Sequence, residues 1–172
     1  MRRLVVAVSV AALALGLQAC GSDSPGPSSL PALFTATLLP ANEVPAVTGA
    51  ESGGTGTVTI TMNLTRDGAG NVTAATADFN VSVTGFPAGM ALTAAHIHPG
   101  AAGAIGSPVV NLALAAGEVT FATGSGSFTK NGITVAVAQA DGLLANASAF
   151  YFNIHTSANP GGVARGQLSR TQ

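Results

Sequence analysis

Charged side chains are scarce in this chain: lysine, arginine, aspartate and glutamate together supply 8% of its residues. From residue 20 onward the four basic residues Arg66, Lys130, Arg165 and Arg170 stand against seven acids, a net charge of −3. That leaves no basic patch to neutralise a phosphate backbone, which argues against nucleic-acid binding. Cysteine occurs once, as Cys20, so the chain cannot staple itself with a disulfide and offers no cysteine nucleophile beyond that position. Also missing are a Gly-x-Ser-x-Gly elbow and a phosphate-cradling glycine loop, and no two of the scattered acids stand out as a catalytic pair. These absences point away from an enzyme. Histidine is sparse too, with three in 172 residues, yet two of them, His96 and His98, are one residue apart.

The chain opens "MRRLVVAVSVAALALGLQACGSDSPGPSS". Two arginines, an apolar run from Leu4 to Leu17 and small residues before Cys20 have the layout of an export signal. The run falls short of the roughly 20 apolar residues that a permanent membrane-spanning helix needs. "LQAC" resembles the lipobox of bacterial lipoproteins, which implies cleavage after residue 19 and lipidation of Cys20. The other reading is an ordinary secretory signal with an incidental cysteine. A Gly/Ser/Pro-rich stretch over 20–31 then serves as a flexible tether. Removing residues 1–19 leaves 153, enough for one domain over 32–170. The expectation is an exported, membrane-anchored lipoprotein facing the periplasm or the cell surface. Gly21 and Ser22, with no aspartate beside the cysteine, direct it to the outer membrane in a Gram-negative cell.

Most of the remaining chain alternates apolar and small polar side chains between glycine-rich turns, the signature of half-covered antiparallel strands. Strands are expected at 32–38, 56–64, 72–86, 90–98, 109–114, within 118–129, and at 149–156 and 163–169. "RDGAGN" supplies a turn, since Asp-Gly and Gly-Asn readily adopt positive φ. "ITVAVAQADGLLANAS" begins like a strand but continues with helix formers, predicting a short helix over 135–145 with Thr134 as its N-cap. The fold class is all-β: an antiparallel, Greek-key-like β-sandwich with one short helix.

Three stretches, "LLPANEVPAV", "AAHIHPGAAGAIGSPVVNL" and "FYFNIHTSANPGGVARGQL", together resemble the CHRD domain, a module named for its occurrence in the animal protein chordin and widespread in bacterial exported proteins. They occur in the family's order and span about residues 32–170. Ala46 stands where the family usually has a second proline, and "GGVARG" lacks an acidic residue that usually precedes the Arg-Gly pair. The resemblance implies the sandwich fold and export. It implies no substrate, because the bacterial members have no agreed activity, and growth-factor binding by the animal protein is not carried over.

On a strand, His96 and His98 point to the same face with Cα atoms roughly 6.5 to 7 Å apart. In "FYFNIHT", Phe150, Phe152 and Ile154 take the core face, which places Tyr151, Asn153 and His155 on the other. Should the two strands be neighbours, three imidazoles meet, a workable ligand set for Zn²⁺ or Cu²⁺ with water in the fourth place. The alternative is structural: neutral imidazoles that donate from one nitrogen and accept at the other, tying loops together. "HIH" is also similar to copper ligands of Cu,Zn superoxide dismutase, but the full two-metal site needs more histidines and an aspartate than this chain offers, so that activity is not expected. Glu43 and Arg165 read either as an ion pair that fixes the loop 39–54 to the last strand, or with Glu43 beside the histidines as a ligand or acceptor. Asn153 and Thr156 are expected to bond neighbouring turns. Two functions therefore stand open: a non-catalytic binding or structural module at the cell envelope, or a mononuclear copper or zinc protein.

Overall fold

Inward and outward residues alternate along β1 (Ala32–Leu38), where Ala32, Phe34, Ala36 and Leu38 are buried, as a strand with one covered face requires. The computed structural model describes residues 30–172; the expected signal peptide, Cys20 and all but the last two residues of the tether lie outside the described residues. β1 pairs antiparallel with β2 (Thr55–Arg66), which pairs with β3 (Val72–Thr84). In that register Phe34 sits opposite Ile60 and Ile60 opposite Phe79, so three fully buried side chains form a row across the sheet. The β2–β3 turn closes on Asp67, whose carboxylate accepts the N–H groups of Ala69 and Asn71, both at 2.9 Å. Gly70 takes the positive φ, 87°, that this turn needs.

The chain continues through β4 (Met90–Pro99), β5 (Val110–Asn111), β6 (Thr120–Phe121), β7 (Gly126–Val135), α1 (Val137–Ala145), β8 (Phe150–Thr156), β9 (Ala164–Gln167) and β10 (Ser169–Arg170). One sheet has the order β10-β1-β2-β3-β7; the other runs β5-β4-β8-β9, with β6 also on β4. β3 lies beside β7 although β4, β5 and β6 separate them in sequence and belong to the opposite sheet, a Greek-key-like crossover. The sheets meet over one apolar core in which Phe79 stacks on Phe152 with ring centroids 5.9 Å apart. The all-β sandwich is thus the fold. Among the described residues no helix is long and apolar enough to cross a membrane.

Two local expectations change. Thr134 does not cap the helix: it stays in β7 opposite Thr76, and α1 starts after Ala136, which makes no side-chain capping bond. Ladder bonds that keep Ile133 and Val135 opposite Ala77 and Ala75 hold the strand together past the point where a cap could form. Gly142 lets α1 come close to the Phe150 side chain: a Cβ there would lie 3.0 Å from that ring. The strand expected over 109–114 shrinks to β5, since Asn111 turns its Oδ1 back to accept the Ala113 N–H at 2.7 Å and draws the backbone out of the ladder.

Phe152 is fully buried and bridges the two sheets. Phe152→Ala is expected to lower stability by about 3–5 kcal/mol, read from the midpoint of urea unfolding.

Candidate functional site

β4 and β8 each have a second face, turned away from the Phe79–Phe152 core. The register sets Ala94 opposite His155, His96 opposite Asn153 and His98 opposite Tyr151, with an irregularity between Leu92 and Ala94. On the far side of β8, β9 places Arg165 opposite Asn153 and Gln167 opposite Tyr151. Polar and aromatic side chains of three adjacent strands therefore share one surface. That surface is covered: β8 is buried on both faces, and His98 and His155 are only 6% and 7% exposed, while His96 is half-buried.

Two loops form the cover, and backbone groups do most of the fastening. The 39–54 loop bonds to β9 through reciprocal Leu39–Arg165 backbone hydrogen bonds of 3.1 and 3.3 Å. The Arg165 Nε donates to the carbonyl of Asn42 at 2.6 Å, and its Nη1 to that of Ala104 at 2.8 Å. One guanidinium thus ties both loops to β9, and it also rests 4.4 Å from the centroid of the Tyr151 ring. Tyr151 in turn stacks flat on His98, with centroids 4.8 Å apart and an interplanar angle of 1°.

The three imidazoles do come together. Ring centroids lie 4.9 Å apart for His96 and His155, 5.4 Å for His96 and His98, and 6.3 Å for His98 and His155. His98 Nδ1–H donates to the Gly106 carbonyl at 2.8 Å, and His155 Nδ1–H to the Pro160 carbonyl at 3.0 Å. Those carbonyls can only accept, so each of the two rings carries its proton on Nδ1 and leaves a bare Nε2. His96 Nδ1 meets His155 Nε2 at 3.1 Å. Burial holds His96 down to about 4, helped by repulsion from His155 and His98. Burial is also the main cause that lowers His98 and His155 below the ordinary imidazole range. All three rings are neutral at pH 7.

A family model for the CHRD domain matches residues 34–168, most of the chain. The chain belongs to the CHRD domain family. No curated protein and no solved structure matches it. The CHRD domain is not a known enzyme family and suggests a binding or structural module.

In this CHRD domain Glu43 is 7% exposed and Arg165 2%, but no direct ion pair joins them; among the described residues the pair within 4.0 Å is Lys130–Glu118, at 2.7 Å. Arg165 spends its Nε and Nη1 on loop carbonyls instead, leaving Nη2 and Glu43 Oε1 buried without hydrogen-bond partners. Burial pushes the Glu43 carboxyl up to about 7, against the opposing pulls of the Arg165 charge and the Asn153 amide. Asn153 lies among the histidines with its Oδ1 3.0 Å from His155 Nε2. Thr156 stands apart from them: its hydroxyl donates to Glu51 Oε2 at 2.8 Å and accepts the Asn159 N–H at 3.1 Å.

Sequence reasoning missed Tyr151 as a stacking partner, Glu51 as the carboxylate that pins the 39–54 loop, and the carbonyls of Gly106 and Pro160. A signal existed for the carbonyls, because each lies in a Pro/Gly loop a few residues after its histidine, "HPGAAGAIG" and "HTSANPGG".

The sign of the Glu43 effect on stability follows from its raised pKa. The folded state keeps this proton up to about pH 7 while the unfolded chain releases it near 4.5, so stability falls as pH climbs between those values. Histidines held below their usual range act in the opposite direction, adding stability as pH rises toward 6.5. Glu43→Gln isolates the carboxyl: the variant is expected to gain on the wild type progressively from pH 5 to pH 8, by up to about 3 kcal/mol, in urea titrations across that range.

Proposed function

We propose that the chain is an exported lipoprotein in which one CHRD domain is held to a membrane through Cys20 and acts there by binding or scaffolding rather than by catalysis. The observation that carries the binding half is the roofed polar face of β4, β8 and β9. It is flanked by two clefts of about 280 and 400 Å³, which share Glu43 and Val44 in their walls. Family membership supports the same reading.

Support for the anchor comes from the amino terminus: Arg2 and Arg3, the apolar run from Leu4 to Leu17, and "LQAC" ending on the chain's one cysteine. Acyl chains on Cys20 bind a bilayer through about 0.8 kcal/mol per buried CH₂, and the Gly/Ser/Pro stretch that follows lets the domain stand clear of the surface. In a Gram-negative cell the residues after Cys20 send the protein to the outer membrane.

The anchor is tested by growing bacteria that express the full chain with an alkyne fatty acid. The wild type is expected to take up the label and to sediment with membranes, and Cys20→Ser to lose both properties. An unlabelled wild-type chain recovered in the soluble exported fraction overturns the anchor and leaves an ordinary secreted CHRD domain.

A further inference from the structure

We propose that His96, His98 and His155 form a mononuclear binding site for a divalent ion that favours imidazole, Cu²⁺ or Zn²⁺. The inference concerns the domain alone and does not depend on Cys20. It starts from the protons. With Nδ1–H of His98 and of His155 committed to the Gly106 and Pro160 carbonyls, the two Nε2 lone pairs are the only atoms these rings can offer inward. A ring nitrogen that donates to a backbone carbonyl, orienting the other toward an ion, is the arrangement that metal-binding histidines adopt.

The inner surface of the cluster is rich in acceptors and poor in hydrogens. His98 Nε2 is buried and has no hydrogen-bond partner, a costly condition for a polar atom removed from water. His155 Nε2 faces His96 Nδ1 at 3.1 Å and Asn153 Oδ1 at 3.0 Å. A single proton, that of His96 Nδ1, is available to this group, and the amide oxygen meets the bare nitrogen as acceptor against acceptor. A cation placed among these atoms satisfies all of them at once.

Distances allow it. One ligand atom from each histidine lies within 4.8 Å of those of the other two. Tetrahedral coordination with bonds of 2.0–2.1 Å sets ligand nitrogens about 3.3 Å apart, so the cluster must close by about 1.5 Å. His96 is half-buried and its ring bonds to His155 rather than to a backbone carbonyl, so it can shift toward an ion; His98 and His155, whose ring centroids are the farthest apart at 6.3 Å, close the rest by tilting about their carbonyl hydrogen bonds. Three neutral imidazoles with no thiolate or thioether among them suit Zn²⁺ and Cu²⁺ rather than softer Cu⁺ or oxygen-seeking Ca²⁺ and Mg²⁺.

The full-length chain, purified in detergent and stripped with EDTA, is loaded separately with CuCl₂ and ZnCl₂ and desalted. Retained metal, the melting midpoint and, for copper, the nitrogen splitting of the EPR spectrum are then measured. One ion per chain, a raised midpoint and splitting from imidazole nitrogens are expected. Retention of only one of the two metals also supports the site and names its ion. His96→Gln is expected to weaken binding at least 10-fold while the circular dichroism spectrum of the metal-free protein stays that of the wild type, showing that the sandwich is still folded. His98→Gln is expected to weaken it as well and is read alongside, since loss of the Gly106 bond can unsettle the loop. Retention of neither metal overturns the proposal. So does binding of equal strength in the His96→Gln protein, which places the ion elsewhere.

Discussion

The pairing of β4 with β8 is the constraint on which the rest of the structure depends. Its register turns Ile97, Phe152 and Ile154 into the core and leaves His96, His98, Tyr151, Asn153 and His155 together on the reverse face. Side chains alternate with a period of two, so a slip of one residue would exchange the two sets and bury imidazoles in the apolar core. The Phe79–Phe152 contact and the bare imidazole nitrogens are therefore two consequences of one ladder.

A polar face on an antiparallel sheet ordinarily meets water. Here it is covered, and a covered polar face destabilises the fold unless its groups find partners. Backbone carbonyls of three loops supply most of them: Gly106 and Pro160 for the histidines, Asn42 and Ala104 for Arg165. The atoms left over, His98 Nε2, Glu43 Oε1 and Arg165 Nη2, all belong to residues of this same region. Native proteins keep few such orphans, so their clustering marks the covered face as the place where an incoming ligand would find unpaired polar groups. The tautomers that tie the loops are the same ones that turn Nε2 inward, so the structural and metal-binding readings are compatible: in His98 and His155 one nitrogen serves the fold and the other faces the cluster.

Arg165 shows how a charge can be buried without a counter-charge beside it. Its fork is divided between carbonyls of two loops and the face of Tyr151, so a residue read from sequence as half of an ion pair instead clamps the roof over the site. Glu43, left without that partner, holds its proton toward neutral pH. The Thr156–Glu51–Asn159 bonds pin the other end of the same loop through a carboxylate that no local pattern had distinguished.

The all-β class, most of the strands, the short helix and the grouping of Tyr151, Asn153 and His155 on one face were legible in the chain, because they rest on periodicity and turn chemistry, which are local; the order of the strands in the two sheets was not. The CHRD motifs were legible for the same reason, being contiguous runs of residues. The cover over the polar face was not, nor the proton positions of the histidines, nor the parting of Glu43 from Arg165. Each depends on carbonyls and side chains brought from 5 to 123 residues away, and a backbone carbonyl has the same identity in every residue. The sequence by itself thus determined which side chains face which way; only the tertiary structure decided which of them are buried, what they bond to, and which nitrogen is left bare.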